Sequence, residues 1–249
     1  MIDTLGLKLK LRSSPLFFGT FYKFKERENF RARVVRPGDV AVIEGFPRSA
    51  NTFATYAFLQ SQGADTRFGN HFHTPAQFHL ARKYRIPALL VIRHPRDACL
   101  SFMVFTHSDD AGDALRRYIA FHEPLRAIRD AFLVAPFAEV TTDFGQVLRR
   151  ANEKFSTAFK PFEHTEENVR RVREAIESDR ARRWQASAGG ADPMTHTLPS
   201  EAKARRKAEI ENAYDAPAMA ALARRAEQLF AELTQSRVGQ PTSSAVHAR

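Results

Sequence analysis

The chain has 249 residues, of which 43% are hydrophobic and 27% charged. That length fits one large α/β domain or at most two small ones, and the composition is that of a folded globule rather than a disordered chain. A single cysteine, Cys99, excludes a disulfide framework and any multi-cysteine zinc or iron–sulfur site. A net charge of +10 points to an anionic partner: nucleic acid, a phosphorylated cofactor, an acidic polysaccharide or a membrane face. No stretch is long enough for a membrane span. Lys8, Lys10 and Arg12 interrupt the only early apolar run, so no secretory signal is expected and the cytoplasm is the expected location.

Residues 1–36 read as a basic arm rich in Phe, with Leu16, Phe17, Phe18, Phe21, Tyr22 and Phe24 set among its lysines. From Lys8 to Arg36 it holds nine basic and two acidic residues, a net +7. Aromatics more often pack than protrude, so the arm is expected to dock on its own domain. Peripheral contact with the inner membrane face is the alternative. Residues 37–235 read as one α/β domain with a central parallel sheet flanked by helices, and 236–249 as a flexible tail.

Within that domain, Val40–Ile43 reads as a buried strand, followed by the polar turn 45–51 and a helix over Thr52–Leu59. A second strand, Ala88–Ile92, passes through Arg93-His94-Pro95-Arg96-Asp97 into a helix from about Ala98, with Pro95 suited to its first turn. Phe132–Ala135 reads as a third strand, with a helix through Gln146–Phe155. Further helices are expected at Glu166–Arg183 and Ser200–Leu233, the last broken near Pro217. The Arg residues from Glu166 to Leu233 interleave with Glu and Asp, the pattern of solvated helix faces, so nucleic acid is not an expected partner.

A buried strand that runs through Gly45-Phe46-Pro47-Arg48-Ser49-Ala50-Asn51-Thr52 into a helix is an anion-binding arrangement, because free backbone N–H groups and the helix dipole converge on one point. The register is that of the phosphate loop GxxxxGK[ST], but Ala50 stands at the second Gly and Asn51 at the Lys. The side chain that reaches a β- or γ-phosphate is therefore missing, and Arg48 supplies the charge instead. In the second turn, Arg93 directly follows its strand and Ser101 lies about two helical turns on. An Arg fork and a Ser hydroxyl are both suited to a phosphate.

Phe46-Pro47-Arg48-Ser49-Ala50-Asn51-Thr52-Phe53 is similar to the 5′-phosphosulfate loop of the PAPS-dependent sulfotransferases. Arg93-His94-Pro95-Arg96-Asp97-Ala98-Cys99-Leu100-Ser101 resembles the 3′-phosphate motif of that family, R-x-P-x-D-x-x-x-S. A looser likeness runs from Val140–Phe144 through Phe155 to Glu166–Val172. The resemblance implies a P-loop-like sulfotransferase fold and metal-independent transfer of a sulfuryl group from 3′-phosphoadenosine 5′-phosphosulfate (PAPS) to a hydroxyl or amine, leaving 3′-phosphoadenosine 5′-phosphate (PAP). It implies that Pro47, Arg48, Ser49, Ala50, Asn51, Thr52 and Phe53 bind the 5′ end, and that Arg93 and Ser101 bind the 3′-phosphate. Arg48 would also stabilise charge on the bridging oxygen. His71-Phe72-His73-Thr74-Pro75 resembles the stretch that carries the catalytic base in members that use a His, with His73 at that place and His71 second.

The chain departs from the family at Arg48 (Lys is commoner), at Ala50 (Gly), and in lacking the G-x-x-G-x-W-K segment. Gly189-Gly190 and the basic run Lys203, Arg205, Arg206 and Lys207 stand in that region, as helix surface or as ligand contacts. The acceptor is expected to be a small molecule, a carbohydrate or a lipid, held by loops around Gly63–Gln77 and Phe105–Tyr118. Two other readings stay open: a P-loop-type nucleotide kinase or phosphotransferase, and a non-catalytic polyanion-binding protein that uses the basic arm.

Overall fold

The computed structural model describes Ser14, Phe18 and residues 32–185 and 200–235. Four strands form one parallel sheet: β1 (Val42–Glu44), β2 (Gly69–Asn70), β3 (Ala88–Ile92) and β4 (Leu133–Pro136), in the order β2-β1-β3-β4. In register, Val42 lies opposite both Gly69 and Ala88, and Leu89 lies opposite Leu133. Because every pair is parallel, all four strands end on the same edge of the sheet, and the turns that follow them share one neighbourhood.

Both faces of the sheet are buried, which explains why β3 is a continuous apolar run. Leu89 and Val91 point to one face, with Ala54, Phe58, Phe144, Leu148 and Val172. Leu90 and Ile92 point to the other, with Phe78, Leu100, Leu115 and Tyr118. The first face is covered by α1 (Asn51–Gln62), α6 (Phe144–Phe155) and α7 (Glu166–Gln185). The second is covered by α2 (Ala76–Tyr84), α3 (Pro95–Thr106) and α4 (Ala111–His122), with α8 (Glu201–Asp215) and α9 (Ala220–Thr234) packed outside them. A short helix, α5 (Phe137–Thr142), follows β4 directly.

The α/β class and the parallel sheet agree with the sequence reading, and β3 has the expected bounds. Elsewhere the bounds move. The first strand runs to Glu44 rather than starting at Val40, and α3 begins at Pro95, three residues before Ala98. The segment Phe105–Tyr118, expected as an acceptor loop, is a correction: from Ala111 it is the helix α4. Its N-terminus is capped by the Asp110 side chain, which accepts from the Asp113 amide at 2.8 Å. The long C-terminal helix breaks as expected, at Pro217–Met219.

Of the arm, Phe18 is fully buried among Val34, Phe72 and Ala76, with its ring edge-on to Phe72 at 5.0 Å. Apart from Ser14, the rest of the arm before residue 32, with Gly189-Gly190 and the tail 236–249, lies outside the described residues. The Arg-rich helices carry the expected pairs, such as Arg171 with Glu167 at 2.8 Å. In the basic run, Arg206 pairs with Asp109 and Glu209, and Lys207 pairs with Asp97 at 2.6 Å. Those two are helix surface. Among the described residues no helix is long and apolar enough to cross a membrane.

Candidate anion site at the strand ends

The turn after β1 begins at Gly45 for a steric reason. A Cβ at that position would lie 2.1 Å from the Val91 carbonyl oxygen, so only glycine lets the ends of β1 and β3 approach this closely. The chain then bends through two left-handed residues, Arg48 (φ 71°) and Ala50 (φ 72°). For residues with a Cβ, each such conformation costs about 1–2 kcal/mol. Asn51 closes the turn from inside, donating from Nδ2 to the carbonyls of Gly45 at 3.3 Å and Phe46 at 2.9 Å. The residue at the Lys place of a phosphate loop is therefore spent on backbone carbonyls.

Two polar atoms of this turn are left over. Ser49 Oγ and Asn51 Oδ1 are buried and have no hydrogen-bond partner among the described residues. Helix α1 starts directly behind them with Ala50 ahead of it, which makes no side-chain cap, and with no acidic residue in its first turn. Its first N–H groups and the positive end of its dipole thus face the turn.

The turn after β3 lies beside the first and is cross-linked to it. Arg93 donates from Nη1 to the Arg48 carbonyl at 3.1 Å, and Arg48 donates from Nε to Ser101 Oγ on α3 at 3.2 Å. Arg93 lies 4.2 Å from the centre of the Phe137 ring, and its own carbonyl accepts from the Tyr118 hydroxyl at 2.8 Å. Arg48 packs over Phe105 at 5.3 Å. Burial, with the nearby Arg93 charge, lowers the Arg48 guanidinium to about 10, and burial lowers Arg93 as well. The Arg93 charge acts on Arg48 while Asp97 in part offsets Arg93, so an anion beside Arg48 would relieve both the repulsion and the desolvation there.

The two histidines, read together from sequence, face different ways. His71 sits against α1, with Nε2 3.2 Å from Thr52 Oγ1 and Nδ1 3.4 Å from Thr55 Oγ1 and 3.2 Å from Asn70 Oδ1. His73 lines a cavity of about 230 Å³ whose walls include Phe46, Pro47, Phe72, Phe102 and Phe121. Its Nδ1 is 2.8 Å from the Gly45 carbonyl, which can only accept, so Nδ1 carries the hydrogen and Nε2 of the neutral ring carries the lone pair. The rings are 5.8 Å apart. Both residues are left-handed, at φ 54° and 51°.

Phe53, on the outer side of α1, meets Phe162 at 6.2 Å and His164 at 5.7 Å. Two residues of this neighbourhood, Phe137 and Glu44, have no part in the sequence reading, and a third, Tyr118, enters it only as the end of an expected acceptor loop. Phe137 lies under Arg93. Glu44, the last residue of β1, is fully buried, and its carboxylate accepts from the amides of Phe72 at 2.6 Å and His73 at 3.0 Å. A carboxylate that ends an apolar strand just before the turn was the available signal for Glu44.

No family model matches the chain, and no curated protein matches it. Among solved structures, the mouse sulfotransferase SULT7A1 in complex with PAP is similar at 10% identity, covering 88% of this chain and 92% of its own, with a TM-score of 0.41. A likeness of that order carries no argument about what this chain does.

Proposed function

We propose that this chain is a metal-independent sulfotransferase that moves a sulfuryl group from PAPS to a small hydroxyl acceptor. The observation that carries the reading is the cross-linked pair of turns, with Arg48 and Arg93 desolvated side by side at the strand ends. The residues fit the donor. The first turn of α1, Arg48 and the unpartnered Ser49 hydroxyl suit the 5′-phosphosulfate, while Arg93 and Ser101 suit the 3′-phosphate. The half-buried rings of Phe53 and His164 offer flat faces for a base. Asn51, turned inward onto two carbonyls, argues against a phosphotransferase of the phosphate-loop type.

In the transfer, a bond forms between the acceptor oxygen and sulfur as the bond from sulfur to the 5′-phosphate oxygen breaks. PAP leaves with the electron pair. His73 takes the acceptor proton at Nε2, the nitrogen with the lone pair, while Nδ1 keeps its hydrogen on the Gly45 carbonyl. Arg48 meets the charge that grows on the leaving oxygen. The aromatic walls of the 230 Å³ cavity beside His73 favour an alcohol on one apolar ring over a carbohydrate. The test is incubation with PAPS and 2-naphthol in EDTA, with products separated by chromatography. Equal amounts of PAP and naphthyl sulfate are expected. No PAP release, together with Mg²⁺-dependent cleavage of ATP, would overturn the reading.

A further inference from the structure

Glu44 has a place that the proposed reaction has not yet used. Its neighbours in β1 are Val42 and Ile43, and its side chain is 0% exposed. A carboxylate at such a position costs several kcal/mol unless it is well satisfied. Its oxygens take the N–H groups of Phe72 and His73, the two residues that carry the chain through its second left-handed bend. A neutral acceptor could brace that bend equally well. A carboxylate adds a charge, and Oε2 lies 3.9 Å from His73 Nδ1.

We propose that Glu44 is the positioning residue for His73: it fixes the backbone on which the base stands and faces the side of the ring that becomes positive when Nε2 takes a proton. This rests on the reading of His73 as the base. Among the described residues, the other charged or titratable groups near the ring are these. His71 is 5.8 Å away, Arg48 stands in the neighbouring turn, and Arg117 lines the same cavity, paired with Asp113 at 2.6 Å. Asp113 already balances Arg117, which leaves Glu44, 3.9 Å from Nδ1, as the carboxylate that favours a positive His73. Burial raises the Glu44 carboxyl to about 7, against the hydrogen bonds from Phe72, His73, Gln77 and Gly45.

The test is an NMR pH titration of the His73 ring in the full chain, assigned with His73→Gln, for wild type and Glu44→Gln. Removing an anion at this distance is expected to lower the His73 midpoint by about 1–3 pH units. With PAPS and 2-naphthol, the rise of kcat/KM with pH should move down with the midpoint. The plateau of kcat should fall about tenfold while KM for PAPS holds, because a weaker base abstracts the proton less well. An unmoved midpoint overturns the inference, as does a shifted midpoint with wild-type turnover. Should Glu44→Gln not fold, the wild type decides. The Glu44 carboxyl carbon and the His73 ring should share a two-step titration curve, and two independent single-step curves refute the coupling. The titration needs no substrate, so it judges the pair even if no sulfuryl transfer is found. Turnover by His73→Gln separately judges the base.

Discussion

Replacing Ser49 with alanine is expected to stabilise the unliganded protein while weakening its hold on an anion. The Ser49 side chain is fully buried and its Oγ has no partner. A hydroxyl buried in that state costs about 1–3 kcal/mol relative to an apolar group of similar shape. Deleting one oxygen forfeits only a few tenths of a kcal/mol of packing, at about 0.1–0.2 kcal/mol per contact. The net is a gain of about 1–2 kcal/mol. In a chain of this size each kcal/mol moves Tm by about 2–4 °C, so a rise of about 2–8 °C is expected without ligand. A hydrogen bond to a bound anion contributes about 1.5–3 kcal/mol, so PAP affinity should fall by about tenfold to a hundredfold. Thermal melts with and without PAP, with calorimetric titration of both proteins, read the two effects separately. A lower Tm in the unliganded variant would mean that Oγ has a partner inside the fold. Unchanged PAP affinity would mean that the hydroxyl does not face the anion.

Gly45→Ala should cost about 2–3 kcal/mol in a urea melt, because its Cβ would meet the Val91 carbonyl at 2.1 Å and a backbone oxygen cannot swing aside. A variant as stable as wild type would show that the ends of β1 and β3 are not pressed together. Phe18→Ala should cost about 3–5 kcal/mol, as for a fully buried Phe, and a near-neutral effect would show that the arm is not anchored at Val34 and Phe72. Glu44 makes stability pH-dependent. Its folded carboxyl, raised to about 7 from the ordinary 4.5, holds a proton that the unfolded chain has released. The resulting stabilisation is full below about pH 4.5 and is lost as pH rises to about 7, about 3 kcal/mol in all. The stability difference between wild type and Glu44→Gln should fall across that window, and a flat difference would contradict the burial of an ionisable group there.

Much of the site was legible because strand–turn–helix units announce where they put their side chains. An apolar run such as Ala88–Ile92 fixes a buried strand, and the residues just after it, Arg93 and its neighbours, must emerge at the strand ends. The parallel order then gathers Arg48, Arg93 and Ser101 into one neighbourhood. Sequence could not show that Arg48 would reach Ser101, 53 positions on, or that Arg93 would reach the Arg48 carbonyl, since those bonds depend on side-chain paths across two turns. The resemblance places His73 ahead of His71 as the base, but two residues apart in sequence do not show which way either ring faces. Only their left-handed backbones and the bonds to Thr52, Thr55 and Gly45 turn them to different sides. Helix α4 went unread inside the expected loop Phe105–Tyr118, although Ala111, Ala114, Leu115 and Tyr118 stand at helical spacing. Strand β2 spans two residues, too few for any pattern to register.

The central claim, a single site that takes an anion at each end of one nucleotide, is tested most directly by calorimetric titration of the protein with PAP in EDTA, with AMP and ATP as controls. The account predicts micromolar binding of PAP without metal, far tighter than AMP and lost in Arg93→Ala, whose guanidinium bonds to the first turn and lies over Phe137. No binding of PAP, or tight binding of ATP that requires Mg²⁺, would contradict it.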